Sequence, residues 1–227
     1  WYFKNGDALA KETPTEIIKY ANAGSEDIIT SMHNIDGFVN GREVWMGDFQ
    51  NGLTKLCDDI YTHYQLNDKY EDNSIYSIQT DEQKGVWCKT HSNKLLLFSN
   101  DTFYNFSDVP RWETFKFTAI LKSNDEYIFA QTKDNGVIVI KGKTYLHLNK
   151  NNTLLSNQND YVFQTTSHQT LFFSEGNIRV VSGGGFSYDI ENHILNKNKV
   201  SSVKEISKNK FLLITTNGLI ICDIQTE

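Results

Sequence analysis

No apolar stretch in the 227 residues approaches the roughly 18 needed for a membrane-spanning helix. This segment is therefore not expected to insert into a membrane. Basic residues nowhere cluster. The 22 Lys and Arg are mixed along the chain with 28 Asp and Glu, for a formal charge of -6, and the basic footprint of a nucleic-acid binder is missing. Cysteine is scarce. Cys57, Cys88 and Cys222 are odd in number and lack metal-ligand spacing, so they form no complete disulfide framework. They read as small buried apolar residues in strands. Catalytic motifs are absent too: no Gly-x-Ser-x-Gly, no His-Glu-x-x-His, no phosphate loop and no calcium loop. Gly183-Gly184-Gly185 opens no helix and reads as a flexible turn. The six histidines are scattered, with His63 and His147 at similar places on outer strands, as surface residues. No metal, cofactor or catalytic residue is expected.

What the chain does have is aromatic residues, 13% of the total, and these suit strands more than helices. It also has a repeat. Asn51-Gly52-Leu53 returns as Asn135-Gly136-Val137 and Asn217-Gly218-Leu219, with looser copies at Gly176-Asn177 and Asn93-Lys94. The turn positions 52, 94, 136, 176 and 218 are 40 or 42 residues apart. An Asn-Gly pair between two apolar runs is a hairpin signal. Before each turn stands an apolar strand: "EVWMGD", "GVWCKT", "YIFAQT", "TLFFSE", "FLLITT". After each comes another: "LTKLC", "LLLFS", "VIVIK", "IRVVS", "LIICD". Aromatic-rich outer strands follow four of them, and a first strand precedes each, as in "SIYSIQT" and "KFTAILK".

Four short strands per ~42 residues are the signature of a β-propeller blade. The fold expected is therefore all-β, a single propeller domain over residues 1–227 with five blades. The last unit lacks an outer strand, and Trp1-Tyr2-Phe3 is expected to supply it, so that the two ends of the chain share one blade. The rival is an arc cut from a longer propeller. Residues 11–24, between Pro14 and Gly24, read as an insertion with a short helix. Trp45 and Trp87, 42 residues apart, are expected between neighbouring sheets.

Loops on a rigid scaffold are where recognition sits. One face should carry the Asn-Gly turns together with the links between blades. Tyr20, Tyr70, Arg111 and Trp112 lie on those links and are the candidate ligand-binding residues, since aromatic and Arg side chains are typical anchors. The alternative for Trp112 is packing between blades. The innermost strands carry small hydroxyls, at Thr30, Ser31, Ser77, Thr118, Thr165 and Ser202. Asp36, Asp81 and Asp125 stand where the first strand turns into the second and read as turn residues rather than paired catalytic carboxylates.

Residues 74–98, "SIYSIQTDEQKGVWCKTHSNKLLLF", resemble a two-component regulator propeller repeat through Asp81, Gly85, Val86, Trp87, Thr90, Leu95 and Phe98. Residues 28–56 fit through Ile28, Asp36, Val44, Trp45, Gly47, Gly52 and Leu53. The last three units keep the spacing and lose the Trp. The resemblance implies a periplasmic or extracellular, non-catalytic sensor propeller that binds a glycan or another polar ligand. In that family such domains often precede a membrane helix and signalling domains. Two alternatives stand beside it. One is an intracellular WD40-like scaffold for protein partners, although the Gly-His and Trp-Asp pairs of that repeat are absent. The other is a five-bladed glycoside hydrolase.

Overall fold

The computed structural model describes residues 2–4, 8–12, 17–20, 32–39, 43–48, 52–58, 60–66, 74–81, 83, 85–110, 112–123, 127–142, 144–174, 176–182, 187–191, 195 and 198–224. Among them, every sheet is antiparallel with its strands in sequence order. The first sheet is β1 (Tyr2–Lys4), β2 (Ala8–Glu12) and β3 (Ile17–Tyr20). The second is β4 (Met32–Val39), β5 (Glu43–Asp48), β6 (Gly52–Cys57) and β7 (Ile60–Tyr64). The third is β8 (Ile75–Thr80), β9 (Val86–Thr90), β10 (Leu95–Ser99) and β11 (Thr102–Asn105). The fourth is β12 (Phe117–Lys122), β13 (Ile128–Thr132), β14 (Val137–Lys141) and β15 (Thr144–Leu148). The fifth is β16 (Tyr161–Gln164), β17 (Thr170–Ser174), β18 (Asn177–Val181) and β19 (Ser187–Glu191). The sixth is β20 (Val200–Ser207), β21 (Lys210–Thr215) and β22 (Gly218–Asp223). No α-helix occurs among the described residues, and none of their helical segments is long and apolar enough to cross a membrane.

The chain divides into two compact units. One holds residues 1–80 and 84–108, with the first three sheets; the other holds residues 81–83 and 109–227, with the last three.

The repeated turn is the phase marker of the structure. Gly52, Asn93, Gly136, Gly176 and Gly218 all take positive φ, between 64° and 127°. The left-handed residue in the third sheet is thus Asn93, one position before the one that the spacing marks. Asn tolerates this region better than other non-Gly residues. A threonine that closes the second strand holds the hairpin in three sheets. Thr132 Oγ1 donates to Gly136 O (2.8 Å) and accepts from Asn135 N (2.9 Å). Thr215 Oγ1 donates to Gly218 O (2.9 Å). Thr90 Oγ1 accepts from Lys94 N (3.1 Å).

Two expectations at the N-terminus are corrected. Tyr2–Lys4 pairs with its own neighbour, Tyr2 opposite Ala10 and Phe3 opposite Leu9, and does not join the C-terminal sheet. That sheet has three strands among the described residues. The reason is loop entropy. Closing a hairpin over residues 5–7, which include Asn5-Gly6, costs far less than bringing residue 3 to the end of the chain. The described part of the region expected to be a helical insertion, residues 11–12 and 17–20, is also strand. Lys11 and Glu12 end β2, and Ile17–Tyr20 pairs with it, Leu9 opposite Tyr20. Ile17 and Ile18 are β-branched, which favours the strand. Asp36 lies within β4 opposite Trp45, next to a register shift, rather than at a turn. Asp81 does cap its turn, accepting from Gln83 N at 2.9 Å. Asp125, Thr30, Ser31 and Gly183–Gly185 lie outside the described residues.

Sheets pack face to face within each unit. In the first, Trp45 on β5 meets Phe98 on β10 edge-on at 5.6 Å, inside a cluster with Leu53, Ile75, Val86 and Leu96. Trp45 therefore lies between neighbouring sheets as expected. Trp87 is buried and edge-on to Phe106, at 4.9 Å, just beyond the end of its own sheet. In the second unit Phe129 on β13 meets Phe172 on β17 at 6.5 Å, and Phe163 on β16 meets Phe211 on β21 at 6.1 Å. Cys88 and Cys222 are buried and Cys57 is half-buried, all three as free thiols.

Candidate functional site

In the second unit, one end of the sheets carries the β13–β14 and β17–β18 hairpin turns and the segments leading into β16 and β20. Turn and link are bonded there: Gly136 N donates to Asn157 O at 2.9 Å. This is the expected arrangement, turns and links at one end. It encloses a cleft of about 620 Å³ lined by Thr118, Ala119, Gln131, Thr132, Lys133, Gln158, Asn159, Asp160, Gly176, Asn198 and Lys199.

Local structure explains how each group arrives. The start of β12 lies beside the end of β13, with Ala119 opposite Gln131 and Phe117 opposite Thr132. The register shifts between Phe117 and Ala119, so Thr118 has no partner position in the ladder and is exposed to the cleft. Such a bulge re-aims one side chain. The link before β16 is fixed by its own amides. Asn149 N donates to Asn152 Oδ1 (2.8 Å), Lys150 N to Asn157 Oδ1 (2.8 Å) and Gln158 N to Ser156 Oγ (3.1 Å). Gln158 Nε2 reaches back to Asp134 Oδ1 at 2.9 Å. Asp160 N donates to Phe173 O at 2.8 Å, tying the link to β17. Lys199 is held by Thr216 N to its carbonyl (3.0 Å) and Lys133 by its own N–H to Lys116 O (2.9 Å).

Among the buried polar atoms of this wall, Gln131 Nε2 and Asn159 Oδ1 lack a hydrogen-bond partner in the protein. Gln131 is only 3% exposed. The amide of Asn159 is oriented by its Nδ2, which donates to Ser156 O at 3.3 Å, leaving Oδ1 as the spare acceptor. A buried amide group without a partner costs about 1–3 kcal/mol, and a water or a ligand atom can complete its pairing. Gln131 thus holds a buried donor and Asn159 a buried acceptor in the cleft wall, flanked by Lys133, Lys199 and Asp160. A second groove in the same unit, of about 480 Å³, is mainly apolar, lined by Phe129, Val139, Leu146 and Phe172 among others.

Of the four residues expected to bind ligand, Tyr20 and Trp112 are described, and Trp112 does not line the polar cleft. Arg111 and Tyr70 lie outside the described residues. Tyr20 ends β3, in the other unit. Trp112 is 3% exposed and edge-on to Tyr145 at 4.5 Å, so its ring packs inside the protein and presents no face to a ligand. Of the described inner-strand hydroxyls, Thr118 alone is among the lining residues. The signal for Gln131 was present in "YIFAQT", where a polar amide interrupts a buried strand. The aligned positions hold Gly47 and Lys89. His63 and His147 hold surface positions by hydrogen bonds, His63 Nδ1 to Thr54 Oγ1 (2.9 Å) and His147 Nε2 to Asn135 O (2.5 Å). No group of three metal-ligating side chains occurs among the described residues.

No protein-family model matches the chain, and no curated protein matches its sequence. Solved structures do resemble it. Virginiamycin B lyase from Staphylococcus aureus aligns with 98% of this chain and 79% of its own, with a TM-score of 0.63 and 13% identity. YCF48 bound to D1 peptide aligns with 94% of this chain and 70% of its own, with a TM-score of 0.59 and 7% identity. The extracellular domain assigned to a hybrid two component system of B. thetaiotaomicron aligns with 89% of this chain at a TM-score of 0.64 and 15% identity, and this chain spans only 27% of it. At such identities the likeness carries the fold alone, an all-β chain of antiparallel, mostly four-stranded sheets of the propeller type.

Proposed function

We propose that this chain is a non-catalytic recognition propeller, placed outside the cytoplasm, that binds a glycan in the polar cleft of its second unit. One observation carries the reading: Gln131 Nε2 and Asn159 Oδ1 are buried in the cleft wall without a protein partner. Every sugar hydroxyl both donates and accepts, so sugar hydroxyls suit a donor and an acceptor alike. The wall is held by backbone and amide bonds before any ligand arrives, which lowers the ordering cost of binding. Asp160 is the one carboxylate among the described lining residues, whereas glycoside hydrolysis uses a pair. The extracytoplasmic placement is supported by the two-component propeller resemblance of residues 28–98 and by the fold shared with an extracellular domain.

The test is a glycan array followed by calorimetry on the hits. Gln131→Leu should weaken binding by about tenfold or more, since a ligand oxygen then faces an apolar group. Trp112→Ala should lower stability and leave the affinity of the folded fraction unchanged. An array without a single glycan bound rejects the reading.

A further inference from the structure

We infer that the ligand of this cleft is an acidic glycan, bound through a sugar carboxylate placed between Lys133 and Lys199. This rests on the glycan reading above and adds the charge class. The first observation is what the lining omits. None of the described lining residues is aromatic, and Ala119 and Gly176 are the only ones among them without a polar side chain. Among the described residues a sugar ring therefore finds no π-face to lie against, and hydrogen bonds and charge hold it. The second is sign. The chain as a whole carries -6, yet the described lining residues hold two lysines against Asp160, a formal +1. Asp134, beside Lys133, lies outside the lining and already accepts from Gln158 Nε2.

The third observation is placement. Lys133 comes from the β13–β14 hairpin and Lys199 from the segment before β20, so the two lysines reach the cleft from different sheets. Both backbones are anchored, Lys133 N to Lys116 O and Thr216 N to Lys199 O. At the wall, Gln131 Nε2 adds a donor that burial has stripped of water. Three donors that lack a resident carboxylate partner of their own favour a ligand oxygen with charge, because charge-assisted hydrogen bonds are about twice as strong as neutral ones. Asn159 Oδ1 then takes a neighbouring sugar hydroxyl.

The experiment pairs each of several uronic acid oligosaccharides (galacturonate, glucuronate and mannuronate) with its carboxyl-reduced neutral counterpart. Binding to the whole chain is measured by calorimetry at low and at high salt. The acidic member of at least one pair should bind about tenfold tighter than its reduced partner. That preference should shrink as salt screens the exposed lysines. The double variant Lys133→Gln, Lys199→Gln should lose the preference, binding the acidic and the reduced member of each pair equally, with an unchanged thermal melt. Equal binding within every pair overturns the acidic assignment and leaves the glycan reading standing. Binding to no member of any pair, with neutral glycans also silent on the array, overturns both.

Discussion

Cys88 sits in the middle of β9 with no exposed surface, its Sγ directed at Val86 O, 3.6 Å away. Burial pushes its thiol far above the ordinary value of 9.0. Cys222 is pushed up to about 11, by burial first and then by the neighbouring Asp223. Below pH 9 both thiols are protonated in the folded and the unfolded chain, and neither affects stability. Above it the unfolded chain releases protons that the folded chain retains, so stability falls as the pH rises through 9 towards 11. Cys88→Ala should flatten part of that alkaline slope in urea midpoints taken between about pH 8 and 11. Thiol reagents at neutral pH should modify Cys57 first, as the other two are buried. A slope unchanged by the substitution would show that Cys88 ionises freely in the fold. Gly136 concentrates a different cost. Its φ is +85°, and an added Cβ would collide with the Leu148 carbonyl oxygen on the neighbouring strand. Gly136→Ala should therefore cost about 2 kcal/mol or more. Gly218→Ala has the same sign of φ and open space around it, and should cost roughly half as much by denaturant titration.

At the scale of elements, the sheets are joined by polar clamps as well as by apolar faces. Thr166, in the turn after β16, donates its N–H to Glu205 Oε2 (2.7 Å) and its hydroxyl to Glu205 Oε1 (2.9 Å) on β20. Glu205 thus ties the fifth sheet to the sixth. Because the bonds lie at the surface, Glu205→Ala should cost only about 1 kcal/mol. A double-mutant cycle with Thr166→Val should return a coupling of roughly half that, the hydroxyl's share. A cycle without coupling would mean that solvent replaces the clamp freely. Elements were the most legible level of this sequence. From β5 to β22, alternation and the Asn-Gly spacing place the strand ends within about three residues of where they lie. The first sheet escaped because its strands have three to five residues and the Asn5-Gly6 signal falls outside the 42-residue phase. The cleft escaped for another reason. Gln131, Asn159 and Lys199 are far apart in sequence and meet only because a bulge, an amide-locked link and a hairpin turn end at the same place. Aromatic residues on the links drew attention instead, and Trp112 shows that such a residue is as readily part of the core.

At the scale of the whole molecule, a recognition site of this kind works against the stability of its scaffold. Gln131 occupies a strand position flanked by Ala130 and Thr132, all three buried, and its Nε2 has no partner there. A leucine of similar volume would remove the unpaired donor and add apolar area in the same space. Gln131→Leu is therefore expected to raise the unfolding free energy of the free protein by about 1 kcal/mol while it weakens glycan binding. The two effects separate a site from a defect. If the amide were a packing fault, the substitution would stabilise the protein and leave binding intact. If it were a structural hydrogen-bonding group, the substitution would destabilise the protein. Thermal melts of both forms, with and without a glycan identified on the array, measure this directly. Wild type should gain melting temperature on adding ligand, by mass action on the folded state. The Gln131→Leu variant should start higher and gain little, and a variant that starts lower would remove the central support for the cleft as the binding site.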